Sequence, residues 1–310
     1  MARTYYVIDA FSSEPFTGNP AAVVLDAEGL DDKVMQSLAA EFNLSETTFI
    51  LPPTSRGPDD GVALSVRFRW FTPTAEVDMC GHATIAGLQA LLESGRVRHE
   101  DASKSTTVRI ETRAGVLTGF IETLPGSGGR RMYWLDMIPP TLTPHELTSA
   151  RLGDVLRLPV EAFEDSLPLM RTQDRDVIVF VQDFVTLNAA RPDSPRLAEL
   201  LDAQGLRGLS LATRNAVTPA VNVQSRFFAP NYGVDEDPVT GSVHGPLAAY
   251  LVRHKLVPVR DGLAGMTCVQ GRPGGRTGLL HALVQVEGPD RWAVRIGGRA
   301  TSVMCGTLLV

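Results

Sequence analysis

Cysteine is scarce in this 310-residue chain: Cys80, Cys268 and Cys305 lie far apart and form no CxxC pair. An odd, dispersed set excludes a disulfide framework and fits a reducing compartment. Positive charge is also in deficit, with 29 Lys and Arg against 35 Asp and Glu and a formal net charge of −6. Such a balance does not neutralise phosphates, so neither nucleic acid nor an anionic membrane is an expected partner. No apolar run approaches the roughly 18 residues that span a bilayer. The opening MARTYYVIDAF is β-rich rather than a charged stretch leading into an apolar core, so a cytoplasmic protein is expected. Cofactor patterns are missing too. The six histidines show no HxxxH or HExxH spacing, so no metal site is expected. PGSGGRR and QGRPGGRTG do not sit between a strand and a helix as a dinucleotide or phosphate loop would, and GxSxG is absent.

What remains is an ordinary globular composition, 44% hydrophobic and 21% charged, with little room for disorder. Its most informative feature is internal. VRFRWFTPTAEVDMCGHA (66–83) resembles VQSRFFAPNYGVDEDPVTGSV (223–243). Setting Arg69 on Arg226 also places Phe71 on Phe228, Pro73 on Pro230, Val77 on Val234 and Asp78 on Asp235. The second copy then carries three extra residues before its glycine, and a helical pattern follows in both. The shift is close to half the chain, which points to a duplication and two pseudo-symmetric lobes rather than a solenoid.

VRFRWF alternates and is rich in β-branched and aromatic residues, which predicts a strand ended by the Thr-Pro step. Helices are predicted over HATIAGLQALLESG, SVHGPLAAYLVRHK, DDKVMQSLAAEFNL and SPRLAELLDAQGL. In the first of these, Ile85, Leu88, Leu91 and Leu92 are spaced for one buried face and Gly95 suits the C-terminal stop. TTVRIETRAGVLTGFIE, RMYWLDMI, DVIVFVQD and WAVRIGG read as strands. Runs of strands between isolated helices predict an α+β chain. PGSGGRR at 125–131 is the expected linker, giving lobes at 1–125 and 126–310, with the last strand free to return to the first lobe.

Both copies place a glycine and a short polar residue at a helix start, Gly81-His82 and Gly241-Ser242. Glycine admits close approach to the backbone, and the free N–H groups of a first turn attract anions. Ser242 also fits a plain N-cap. Glu46 lies between a predicted helix and a strand, where a surface turn is the alternative. Asp237 precedes a proline and a helix start, where a turn or cap is the alternative. Asp235 and Glu236 read as solvated; His82 suits bonding to a substrate or acting as an acid, although a lone histidine is more often structural.

Four segments together resemble the phenazine-biosynthesis PhzF-like family: DAFSSEPFTGNPAAVV (9–24), EFNLSETTFI (41–50), RWFTPTAEVDMCGHATIAG (69–87) and DEDPVTGSVHGPLAAYL (235–251). They follow the family's order and span nearly the whole chain. The resemblance implies the diaminopimelate-epimerase-like fold, two lobes each with a rolled sheet or barrel around a central helix and a site in the cleft. It implies that Glu46 is the principal acid/base, and that His82 and Asp237 hold substrate polar groups and support proton transfer. Gly81, Gly241, Ser242, Asn19 and Cys80 complete the implied substrate-binding set. A homodimer acting on a small carboxylated substrate without a cofactor is the corresponding expectation. Related racemases use a cysteine at each helix start; here Cys80 stands at the first and no thiol at the second. The expected activity is a cofactor-independent isomerase. The alternatives are an amino-acid epimerase or racemase and a silent small-molecule binder.

Overall fold

The computed structural model describes residues 3–55 and 61–310. The chain divides into two compact units, residues 1–136 with 296–310, and residues 137–295. Among the described residues, no helix is long and apolar enough to cross a membrane.

The first unit runs β1 (Arg3–Ala10), β2 (Asn19–Val24), α1 (Asp32–Phe42), β3 (Glu46–Leu51), β4 (Leu64–Phe71), β5 (Glu76–Val77), α2 (Gly81–Glu93), β6 (Thr106–Thr112), β7 (Gly115–Thr123) and β8 (Arg131–Asp136). Strand β2 pairs in parallel with β3, and β4 in parallel with β6. The partners β1–β2, β3–β4, β4–β5, β6–β7 and β7–β8 are antiparallel. Helix α2 packs against β1, β2, β3, β7 and β8. It is therefore buried nearly all round, from Gly81 to Leu88 and at Ala90 and Leu91, rather than on the single face its leucines predict. Small residues permit this. A Cβ at Gly87 would meet the Phe68 ring at 2.5 Å. The glycine-rich run read as a linker instead closes the β7–β8 hairpin, where Leu124 N–H bonds to Arg130 O at 2.9 Å.

The second unit runs β9 (Leu142–Pro144), α3 (Ser149–Leu156), β10 (Met170–Thr172), β11 (Asp176–Phe180), α4 (Phe184–Ala189), α5 (Ser194–Ala203), β12 (Gly208–Thr213), β13 (Val223–Ala229), β14 (Val234–Asp237), α6 (Gly241–Arg253), β15 (Leu263–Gly271), β16 (Thr277–Gly288) and most of β17 (Arg291–Gly298). Its pairings repeat those of the first unit: β11–β12 and β13–β15 parallel, β12–β13, β13–β14 and β15–β16 antiparallel. Helix α6 is buried along almost its whole length against β15 and β16. The final strand β18 (Ala300–Leu308) belongs to the first unit and pairs antiparallel with β1, Arg3 facing Leu308.

The registers turn the repeat into a residue-by-residue correspondence. Phe49 faces Arg69 as Leu211 faces Arg226, and Trp70 faces Val77 as Phe227 faces Asp237. Arg69 grips Glu76 through Nε and Nη2 at 2.7 and 2.8 Å; Arg226 grips Glu236 through the same nitrogens at 2.8 and 2.9 Å. Each guanidinium lies over a phenylalanine, Phe71 or Phe228. The match of Val77 and Asp78 to Val234 and Asp235 is thereby corrected. The three extra residues lie between Arg226 and Glu236, at an irregularity in the β13–β14 ladder. Val77 then corresponds to Asp237, and Cys80 to Thr240. Glu236, expected in solvent, is instead the partner of the buried Arg226.

Candidate active site

In the first unit, α1 ends at Asn43, whose left-handed backbone (φ 50°) sends its N–H to Ala39 O. Asparagine tolerates that conformation. The chain leaves through Leu44 and Ser45, and Glu46 opens β3 opposite Ala21 of β2. Asn19 begins β2, and Cys80 is the N-cap residue of α2. These elements converge on His82. Its Nε2 lies 3.2 Å from Glu46 Oε2, an approach without the alignment of a straight hydrogen bond. Its Nδ1 lies 3.3 Å from Asn19 Nδ2 and 3.4 Å from Cys80 Sγ. An amide nitrogen only donates, so Nδ1 is the acceptor of that pair, while Nε2 makes no aligned hydrogen bond to Glu46. Asn19, Cys80 and His82 are buried, while the Glu46 side chain keeps 19% of its surface exposed.

No histidine spacing announced a metal site, yet one ligand atom each from Glu46, Cys80 and His82 lies within 4.8 Å of the others. Nδ1 of the imidazole lies by Cys80 Sγ and Nε2 by Glu46 Oε2. The three donor atoms therefore cluster at one place in the first unit.

In the second unit, Gly241 and Ser242 open α6, and the N-cap is Thr240. The plain N-cap alternative for Ser242 is thus replaced: Ser242 is the second helical residue, and its Oγ accepts from Arg207 Nη2 at 3.1 Å. Arg207 is held by Asp176, which is fully buried and accepts from Nε at 2.8 Å and from Nη2. Burial pushes the Asp176 carboxyl upward and the guanidinium opposes that push. Burial likewise works against the Arg207 charge, but the bonds to Asp176 outweigh it and raise the guanidinium above its ordinary value. Asp237 ends β14 and accepts from the Thr240 hydroxyl at 2.5 Å. Thr240 is in turn bonded by Gln270 and by His244.

Each half of the sequence-derived set is thus assembled within its own unit: Asn19, Glu46, Cys80, Gly81 and His82 in the first, Asp237, Gly241 and Ser242 in the second. Sequence reasoning missed Asp176, Arg207, Thr240, His244 and Gln270. The corrected repeat would have flagged Arg207 and Thr240, which stand where Ser45 and Cys80 stand in the first copy. Gln270 and Asp176 come from distant strands and carry no local signal. The two helices also differ from their neighbours. The α1, α3, α4 and α5 starts are capped by Asp31, Thr148, Asp183 and Asp193 side chains, whereas α2 and α6 have no side-chain cap. Their first-turn N–H groups are left for other acceptors. A groove of about 570 Å³ elsewhere in the first unit, lined by Arg67, Arg69, Glu76, Glu111 and Arg113 among others, contains none of these site residues. Most of its charges pair with one another or with neighbouring residues.

Comparison with known proteins agrees with this architecture. The sequence profile of the family described as phenazine biosynthesis-like protein matches residues 8–306. A trans-2,3-dihydro-3-hydroxyanthranilate isomerase of Pseudomonas aeruginosa is 32% identical, with 96% of each chain covered. The crystal structure of a PhzF-family phenazine biosynthesis protein from Bacillus anthracis superimposes with a TM-score of 0.86 at 27% identity, over 100% of both chains. A hydroxyproline epimerase from Agrobacterium vitis shares the fold, with a TM-score of 0.63 at 14% identity over 99% of this chain and 92% of that one. The α+β, diaminopimelate-epimerase-like fold follows from these likenesses.

Proposed function

Because the chain belongs to the phenazine biosynthesis-like protein family and is an isomerase, we propose that it moves a proton on a small carboxylated metabolite by acid/base catalysis. Glu46 takes the proton from one carbon and returns it to another. A single base that recovers what it removes suffices for this, so no hydride acceptor or metal enters the step. The observation that carries the reading is the Glu46 carboxylate set 3.2 Å from Nε2 of His82, at the uncapped start of α2. That neighbour can orient the carboxylate and steady its charge while the substrate proton is in transit.

Gly241 and Ser242 at the uncapped start of α6 suit a substrate carboxylate, which free N–H groups and a positive helix end attract. Arg207, adjoining Ser242, adds a guanidinium to that end, and Asp237 offers an acceptor for an amino or hydroxyl group. A two-thiol racemase is less well supported, since Thr240 occupies the place that corresponds to Cys80.

The test is a panel of small amino- and hydroxy-carboxylic acids incubated with the enzyme in deuterated water, with mass detection of carbon-bound deuterium. trans-2,3-Dihydro-3-hydroxyanthranilate, named for the relative above, heads the panel. Exchange coupled to product formation, undiminished after chelation and dialysis, is the expected result. Binding without exchange across the panel would favour a silent binder, and a loss restored by metal would overturn the cofactor-free step.

A further inference from the structure

Gln270 is fully buried on β15, directly opposite Ser225 of β13. Its carboxamide is wholly committed. Oε1 accepts from Thr240 N at 2.9 Å, while Nε2 donates to Asp237 O at 2.8 Å and to Thr240 Oγ1 at 3.0 Å. With an N–H already pointing at its oxygen, the Thr240 hydroxyl sends its own proton to Asp237 Oδ2. A second chain meets the first. His244, also fully buried, donates from Nδ1 to Thr240 O at 2.8 Å, which leaves Nε2 to accept from Ser225 Oγ at 3.3 Å. Every bond therefore has one direction, and the Gln270–Thr240 chain ends on the Asp237 carboxylate.

The fold itself does not require this network. The registers place Val77 where Asp237 stands, Cys80 where Thr240 stands, Phe68 where Ser225 stands and Thr112 where Gln270 stands. The first unit builds the same strands and helix with a largely apolar set. Buried polar groups are costly when unpaired, so a network retained in one copy alone fixes something the other copy does not need fixed. Turning Asp237 away would strand the Thr240 hydroxyl inside the protein.

We propose that Gln270 and Thr240 are positioning residues for Asp237, holding its carboxylate in the one orientation that meets substrate. The inference rests on the reading of Asp237 as a substrate-contacting group. It is tested with Thr240→Val, Thr240→Ser, Gln270→Met and Asp237→Asn, assayed on trans-2,3-dihydro-3-hydroxyanthranilate and each crystallised. Thr240→Val keeps shape and loses the hydroxyl. It should lower kcat on the order of 10- to 100-fold, as small misplacements of reacting groups do, with KM changed less than about threefold. Its Asp237 side chain should be rotated or split between orientations. Thr240→Ser restores the hydroxyl and should recover most of the loss. Gln270→Met should follow Thr240→Val; if it does not fold, the threonine pair alone decides. Thr240→Val with wild-type kcat and an unmoved Asp237 would overturn the positioning role. An active Asp237→Asn would instead overturn the reading of Asp237, and the crystal structures would still report whether Thr240 orients it.

Discussion

The two units share strand registers, a bidentate arginine–glutamate clasp and a buried helix with an uncapped start, yet they carry different chemistry at equivalent places. Glu46 corresponds to Gly208, where a Cβ would meet the Phe227 ring at 2.3 Å, so the second copy has no space for a side chain there. His82 corresponds to Ser242. Conversely, Ala21 and Ser45 of the first unit correspond to the ion-paired Asp176 and Arg207, and Val77 to Asp237. Duplication has supplied the scaffold twice. Divergence has put a carboxylate, an imidazole and a thiol together in one copy and a charged, hydrogen-bonded set in the other.

Copying one unit's solution into the other is the way to break or sharpen that contrast. The largest effect should follow Arg207→Met, which strands the fully buried Asp176. Removing one partner of a buried pair costs about 3–5 kcal/mol, read as a lowered denaturation midpoint. Adding Asp176→Ala, the first unit's residue, should recover much of that stability while carboxylate binding stays weak. A single mutant as stable as wild type would mean the pair is not structural.

Next comes acid sensitivity. Burial pushes His244 down to about 4 from an ordinary value of 6.5. The folded state then binds fewer protons than the unfolded state between those values, so stability is lost as pH falls from about 6.5 to about 4. The loss amounts to about 3 kcal/mol. The first unit has Thr84 at this place, its hydroxyl bonded to Cys80 O at 2.6 Å. His244→Thr should therefore flatten the pH dependence of urea midpoints. An unchanged slope would assign it to other groups.

Glu46→Gln should then lower turnover on the order of 100-fold, about 2.7 kcal/mol, with little change in melting temperature. A fully active variant would remove the proton-handling role from the first unit. Smallest is Cys80→Ser, expected to reduce turnover at most severalfold. Complete loss with the fold intact would promote thiol chemistry.

Much of this was legible in the sequence, and the limits have physical reasons. The helices at 32–42, 81–93, 194–203 and 241–253 announce themselves by periodicity, and the second and fourth also by a glycine start, because local pattern decides them. Glu46, His82 and Asp237 were singled out as candidates through motifs with strong local identity. The short α3 and α4 helices and the long β15–β16 hairpin were not, since packing rather than pattern decides them. A glycine-rich hairpin loop and a linker look alike in composition, which is why 125–131 misled. Glu236 read as solvated because its partner Arg226 lies across a ladder irregularity that the alignment had not located. Gln270 was invisible: a lone glutamine in a strand gains meaning only from the loop it faces.

The pairing of β1 with β18 also sets the order in which the chain can fold as it is made. The second unit is one continuous stretch, 137–295, and has all its strands and helices before the last strand is synthesised. The first unit emerges earlier but cannot complete its sheet until Thr307 and Leu308 are available to face Thr4 and Arg3. Closing that contact spans nearly the full chain, the slowest kind to form. Until then β1 presents an open edge, the part of the nascent protein most exposed to pairing with a wrong partner.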